Sequence, residues 1–304
     1  MNSDFQPLHQ ALSDGLLSFP ITDFDQNGKF NPSTYQQRLE KFIDHKVSAI
    51  FVAGGTGEFF SLSLEEYKQI VELTVKTVAG RVPVVSSAGK SIPEAQAYCQ
   101  IAEQAGIDGI LLMPPYLTGA PESGLIDYAS TIINNSKLPF IYYNRANGTL
   151  SASSLEKLAS LCPNLIALKD GVGDIASLND TIKTIGDRLV YIGGVPTAEL
   201  FAEAYLSIGV NTYSSAVFNF MPEMALKFYK ALRAGETQTV KKIIQTFFIP
   251  FCRLRDKQKG YAVSLIKVGA TQQGYTAGDV RAPLTMPNAE ECSQLQSIID
   301  ANQE

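Results

Sequence analysis

A chain of 304 residues that is 45% hydrophobic and 18% charged carries enough apolar mass for one large α/β barrel or two ordinary domains. Its net charge of −5 comes from 30 acidic and 25 basic residues with no run of either sign, so charge alone would not hold a polyanion and no nucleic-acid partner is expected. The N-terminus MNSDFQPLHQALSDG lacks a basic start followed by an apolar stretch, and no later segment nears the roughly 20 apolar residues of a membrane span, so a cytoplasmic protein with no membrane partner is expected.

Short apolar runs alternate with helical patterns along the first two-thirds of the chain. The expected strands are GLLSFPI from Gly15, AIFVAG from Ala49, VPVVSSAG from Val82 and GILLMP from Gly109, then LPFIYYN from Leu138, LIALKD from Leu165, LVYIGG from Leu189 and NTYSSA from Asn211. Between them, Asn31-Pro32-Ser33 opens a first helix, since proline is tolerated where a first-turn N–H has no partner anyway. Ser63 stands three residues before Glu66, a capping box for a helix running to about Ala79. SIPEAQAYCQIAEQAG, ending at Gly106, and SASSLEKLASL follow the same logic. After Asn219 the remaining patterns, MPEMALKFYKALRAG, ETQTVKKIIQTFFIPFCRL, YAVSLIKVGATQQG and NAEECSQLQSIIDAN, all read as helix.

Eight strand and helix alternations over roughly 215 residues predict an α/β fold, a (β/α)8 TIM barrel with a C-terminal helical domain, divided as residues 1–222 and 223–304. A doubly wound open sheet stays open as an alternative, although no GxGxxG follows the first strand. Cys99, Cys162, Cys252 and Cys292 are far apart, and the only histidines are His9 and His45, so no disulfide framework or metal site is expected.

A barrel places its active site at the carboxyl ends of its strands. Those ends collect Thr22, Gly54 to Glu58, Ser86 to Lys90, Pro114 to Tyr116, Tyr143-Asn144-Arg145, Lys169-Asp170, Gly193-Gly194 and Ser214-Ser215. Alternation along LIALK puts Leu165, Ala167 and Lys169 on one face, and the larger pair Ile166 and Leu168 suits the helix-facing side. Lys169 is then expected to point into the barrel mouth, where desolvation raises the small fraction of neutral amine able to attack a carbonyl. A surface ion pair between Lys169 and Asp170 accounts for the position equally simply. Tyr143 ends the neighbouring strand, either as a proton-exchanging phenol or as an aromatic cap. The glycines of GGTGE either let backbone N–H groups approach a carboxylate, with Thr56 adding a hydroxyl, or merely make a tight turn.

GGTGEFFSLSLEEY, IYYN and IALKDG, in this order and spacing, with FPITDFDQNGKFN near the start and VRAPL near the end, resemble the class I Schiff-base lyases of the dihydrodipicolinate synthase and N-acetylneuraminate lyase superfamily. The resemblance runs from about Gly15 to Leu284. It implies a homotetramer, a dimer of dimers, working without metal or other cofactor. It also implies that Lys169 is the Schiff-base lysine, Tyr143 the proton shuttle, and Gly55-Thr56 the seat of a keto acid's carboxylate, with the backbone at Ser214 facing substrate. The synthases of this superfamily carry Thr-Thr in place of Gly55-Thr56 and a second tyrosine in place of Leu117, which follows Tyr116. Both missing hydroxyls belong to their proton relay, so aldol condensation is not expected here. The GGTGE loop and YYNRANG resemble instead members that convert a six-carbon keto-diacid to 2,5-dioxopentanoate, water and carbon dioxide.

A dianionic substrate in a negatively charged protein needs local positive potential, and Arg145 is the one arginine in the rim segments. It is expected either to pair with the distal carboxylate or to serve the loop or a subunit contact. Two other activities stay open: an aldolase releasing pyruvate from a 2-keto-3-deoxy sugar acid, and a barrel that binds keto acids without turnover. Which of Ser214, Ser215, Ser86 and Lys90 meets ligand is also open.

Overall fold

The computed structural model describes residues 5–116 and 119–303, so Leu117 lies outside the described residues. Eight strands lie in sequence order: β1 (Leu17–Ser18), β2 (Ala49–Val52), β3 (Val84–Ala88), β4 (Gly109–Leu112), β5 (Phe140–Asn144), β6 (Leu165–Asp170), β7 (Val190–Gly193) and β8 (Thr212–Tyr213). Every neighbouring pair is parallel. A parallel bridge between Leu17 and Ser214, with the Ser215 N–H donating to the Leu17 carbonyl at 2.9 Å, brings the last strand to the first. That closure makes a (β/α)8 barrel and excludes the open sheet.

The helix α1 (Gln6–Ser13) precedes the barrel and was not expected from the sequence. It sends Leu8 and Leu12, one turn apart, into the inner cluster with Leu17, Ala49, Phe51, Val85, Leu111 and Ile192, and so plugs the barrel below the strand starts. A Cβ on Gly109 would sit 2.5 Å from Leu8 Cδ2, so glycine at the start of β4 makes room for the plug. The layer helices are α2 (Pro32–Asp44), α3 (Leu64–Val78), α4 (Ile92–Ala105), α5 (Glu122–Asn134), α6 (Ala152–Leu161), α7 (Ile175–Ile185) and α8 (Ala202–Ser207). Full capping boxes, Ser63 with Glu66 and Ser91 with Glu94, start α3 and α4. The expected cap of α6 is absent: Ser151 makes no side-chain cap bond, and its hydroxyl donates to Glu122 Oε2 at 2.6 Å, tying α6 to α5.

One alternation is also corrected. Register slips where β5 meets β6, Phe140 facing Leu165 while Ile141 faces Ala167, so Ile166 is an extra residue in the ladder. Ile166 and Ala167 therefore both pack inward, Leu165 and Leu168 pack against the helices, and Lys169 still points inward.

After β8 come α9 (Pro222–Arg233), α10 (Thr237–Ile243), α11 (Ile249–Arg255), α12 (Tyr261–Gln272) and α13 (Ala289–Asp300). A π-helical turn over Ile244–Phe248 joins α10 to α11. Pro250 has no N–H for the carbonyl four residues back, and the wider turn absorbs the gap without breaking the helix. No helix among the described residues is long and apolar enough to cross a membrane.

These helices are tied to the barrel by buried charge. Lys267 of α12 meets Glu58 Oε1 at 2.7 Å with both side chains fully buried, and Arg38 forks onto Asp23 at 2.6 and 2.9 Å nearby. Lys267 also donates to the Asp279 carbonyl at 2.9 Å and lies over the Phe24 ring. Burial lowers the Lys267 pKa against the pull of Glu58. Lys267→Met leaves a buried carboxylate uncompensated and is expected to cost about 3–5 kcal/mol in urea unfolding, with part of the loss recovered when Glu58→Gln is added.

Candidate active site

β6 delivers Lys169 to the barrel mouth, beside Tyr143 of β5 and Ile192 of β7 in the strand register. The side chain is 3% exposed; Nζ donates to the Gly194 carbonyl at 2.9 Å and lies 4.0 Å from the centre of the Tyr143 ring and 5.3 Å from that of Phe19. Burial lowers its pKa, with the Arg145 charge adding to that effect while Tyr143 and Asp170 oppose it. Asp170 is not its surface partner. It points outward, accepts from the Tyr205 hydroxyl at 2.6 Å and from the Val172 and Gly173 N–H groups, and is itself buried.

Tyr143 is built into the same constellation. Its hydroxyl donates to the Gly194 carbonyl at 3.0 Å and accepts from Arg145 Nη1 at 2.8 Å. Burial works to raise its pKa, but the cationic Lys169 and Arg145 beside it outweigh that and leave the phenol below its ordinary value. A buried lysine and tyrosine thus share one carbonyl, each with its pKa below its ordinary value. The rim pair Gly193-Gly194 therefore acts through a backbone oxygen. The Gly194 oxygen is the acceptor that orients both groups, and a Cβ on Gly194 would collide with the Lys169 side chain and come within 2.6 Å of the Asp170 carbonyl oxygen. Gly171 is likewise excluded from carrying a side chain, its Cβ falling 2.6 Å from the Tyr143 ring.

The GGTGE loop after β2 is held from outside. Ala53 and Glu58, both non-glycine residues with positive φ (49° and 56°), bracket it. The Thr22 hydroxyl grips the Gly57 carbonyl at 2.7 Å, and Glu58, besides meeting Lys267, accepts the Arg281 N–H at 2.8 Å. Gly54 is forced by Phe19, whose ring a Cβ would meet at 2.5 Å. Gly55 is different: it lines the cavity, and a Cβ there would meet no atom within 4 Å beyond its chain neighbours, so crowding does not require glycine at this position.

That cavity encloses about 190 Å³, and the residues lining it include Gly55, Thr56, Tyr143, Arg145, Lys169 and Ser214. The six residues singled out in the sequence thus surround one space. The other rim segments turn elsewhere. Ser86 accepts from Tyr67 at 2.8 Å, the Ser215 hydroxyl donates to Glu199 Oε1 at 2.5 Å, and Lys90, Pro114 and Tyr116 line a separate surface hollow. Sequence reading missed Phe19, Thr197 and Arg255, which also line the cavity. Phe19 lies in the expected strand GLLSFPI, before the strand end from which site residues are drawn. Arg255 comes from α11, and no strand-end rule points to a residue so far along the chain. Among the described residues, no group of three or more His, Cys, Asp or Glu is arranged to hold a metal ion.

Glu199 is buried behind β8, with Oε2 lacking any hydrogen-bond partner. Burial raises its pKa to about 7, against the Ser215 hydrogen bond that lowers it.

A sequence model described as the dihydrodipicolinate synthetase family matches residues 12–302. The chain is 48% identical over 294 residues to a 5-dehydro-4-deoxyglucarate dehydratase of Pseudomonas putida, covering 97% of each chain. It is 46% identical over 296 residues to a probable 5-dehydro-4-deoxyglucarate dehydratase of Acinetobacter baumannii strain AB307-0294, covering 97% of this chain and 98% of the relative. Among solved structures, a dihydrodipicolinate synthase from Bacillus clausii superposes with a TM-score of 0.91 at 27% identity, covering 98% of this chain and all of the other.

Two outcomes follow from this geometry. Gly194→Ala is expected to displace Lys169 and lower kcat about 100-fold in a chain that still folds, checked by steady-state rates alongside circular dichroism. The second concerns pH. A carboxyl whose folded pKa of about 7 lies above the ordinary 4.5 contributes stability in full below pH 4.5 and loses it progressively as pH rises toward 7. Glu199→Gln removes that loss, so its melting temperature relative to the parent is expected to rise between pH 5 and pH 8; a constant difference across that range refutes the assignment.

Proposed function

The chain belongs to the dihydrodipicolinate synthetase family, and within it we propose that this protein is a decarboxylating hydro-lyase that converts 5-dehydro-4-deoxyglucarate to 2,5-dioxopentanoate, water and carbon dioxide through a Schiff base on Lys169. The observation that carries the reading is the buried Lys169 amine, sharing the Gly194 carbonyl with Tyr143 in a cavity lined by the GGTGE loop. The two dehydratases of 46% and 48% identity support the choice of reaction.

The substrate's keto-acid carboxylate is assigned to Gly55 and Thr56, where open space beside Gly55 gives backbone N–H groups access to it. Neutral Lys169 attacks the ketone. Tyr143 passes a proton to the carbinolamine oxygen, and water leaves to give an iminium. Loss of a proton from the adjacent methylene makes an enamine, which expels the next carbon's hydroxyl as water and leaves a double bond conjugated to the iminium. Cleavage of the bond to the distal carboxylate then releases carbon dioxide, and its electron pair runs through the conjugated chain to the Lys169 nitrogen. Tautomerisation of the resulting enol and hydrolysis free the dioxo acid and the amine. The water lost in forming the iminium returns in that hydrolysis, so one water and one carbon dioxide leave per turnover.

Arg145 is assigned two tasks. Through Nη1 it holds the Tyr143 phenol, and its remaining N–H groups face the distal carboxylate. Ser214 is assigned to backbone contact with substrate from the end of β8. The active form is assigned as a cytoplasmic homotetramer, a dimer of dimers, on the family resemblance.

Borohydride reduction in the presence of pyruvate is expected to add mass to the peptide bearing Lys169 and to fail in Lys169→Arg; turnover left intact in that variant refutes the mechanism. Coupled assays on the keto-diacid are expected to detect carbon dioxide without pyruvate, whereas pyruvate without gas identifies an aldolase. Arg145→Ala is expected to lower kcat and raise KM, and unchanged values for both remove Arg145 from the site.

A further inference from the structure

The cavity has a wall that the proposed reaction has not used. Phe251, Arg255, Ala262, Val263 and Ile266 reach it from α11 and α12. Four of these are apolar. Arg255 is the exception, a charged side chain only 16% exposed at the end of α11.

Its seat is built from the loop after β7. Nη1 donates to Thr197 Oγ1 at 2.5 Å and to the Pro196 carbonyl at 3.2 Å, while Nε donates to Asp256 Oδ1 at 2.8 Å. Nη2 takes none of these bonds. Thr197 holds a left-handed backbone conformation (φ 54°), uncommon for a β-branched residue, and both it and Arg255 line the cavity. The lining as a whole carries Lys169, Arg145 and Arg255 and no Asp or Glu. One carboxylate can be met by the N–H groups of the GGTGE loop, so two permanent guanidinium charges in the same lining, beside an amine shifted toward neutrality, exceed what a monoacid requires.

We infer that Arg255 is a specificity-determining residue that binds the far carboxylate of the substrate through Nη2, so that the C-terminal helices complete the site. This rests on the keto-diacid reading above and extends it: Arg145 approaches that carboxylate from the barrel, and Arg255 from the helices, aimed by Thr197.

The test is reductive trapping on Lys169 with two six-carbon probes that cannot be dehydrated: 2-oxohexanedioate, carrying a carboxylate at each end, and 2-oxohexanoate, lacking the second. Arg255→Met is expected to raise the half-saturating concentration of the diacid about 10- to 100-fold, the loss of a charge-assisted hydrogen bond, and to leave that of the monoacid unchanged. Arg255→Lys and Thr197→Val, which keep the charge or the guanidinium, are expected to give smaller losses confined to the diacid. Equal weakening of both probes across the variants means that Arg255 only holds the fold, and no change in either removes it from the site; both results overturn the inference. Neither bears on the keto-diacid reading itself, which falls if the parent enzyme releases no carbon dioxide from 5-dehydro-4-deoxyglucarate.

Discussion

The cost of taking an ammonium out of water organises this protein. Lys169 is enclosed by the closed barrel and the rings of Tyr143 and Phe19, with one carbonyl as acceptor. An unpaired buried cation is so unfavourable that the enclosure shifts the amine toward neutrality, and neutrality is what nucleophilic attack needs. The enclosure in turn dictates what its neighbours can be. Gly194 has no room for a side chain, Gly171 has none beside Tyr143, and Asp170, the nearest carboxylate in sequence, is turned away and occupied by Tyr205. A carboxylate facing Lys169 would restore the ammonium and quench the nucleophile.

The second constraint works over longer range. The GGTGE loop is bracketed by two residues in left-handed conformations, and what holds it comes largely from beyond the barrel. Lys267 neutralises Glu58 in a dry environment, and Arg281 donates its backbone N–H to Glu58 while its side chain meets Glu66, the Gly28 and Ser61 carbonyls and the Phe24 ring. The C-terminal region thus fixes the loop assigned to one end of the substrate and contributes Arg255, proposed to meet the other end, to the cavity lining. A barrel cut at the end of β8 would lose the partners of Glu58 and one wall of the cavity together.

How much of this could be read from the residues differs by kind. Strand ends and the inward direction of Lys169 were legible because side-chain period and barrel geometry are local rules that survive packing. The face assignment of Leu165 and Ile166 failed because an extra residue in the β6 ladder shifts the phase, and nothing in LIALK announces it. Helix α1 was missed because only two residues, Leu8 and Leu12, carry its buried face. The glutamate of GGTGE stood in the motif with no evident task; its partner is 209 positions away in the chain (267 − 58), a distance at which sequence patterning says nothing. Arg255 escaped for the same reason.

Electrostatics also bear on how such a site turns over. A guanidinium that pairs with the distal carboxylate stabilises the ground state and by itself opposes loss of carbon dioxide. The opposing pull comes from the iminium at the other end of the conjugated chain, which accepts the electron pair once dehydration has connected the two. In the proposed reaction, arginine contacts on the carboxylate therefore serve binding and alignment, and the driving force for the cleavage resides on the nitrogen of Lys169. Once carbon dioxide departs, the product keeps only the carboxylate assigned to the GGTGE loop and has lost the anion that faced Arg145 and Arg255. The arginines proposed to select a diacid would then hold its monoacid product weakly, so that in this proposal the selectivity of the cavity and the release of product come from one arrangement of charge.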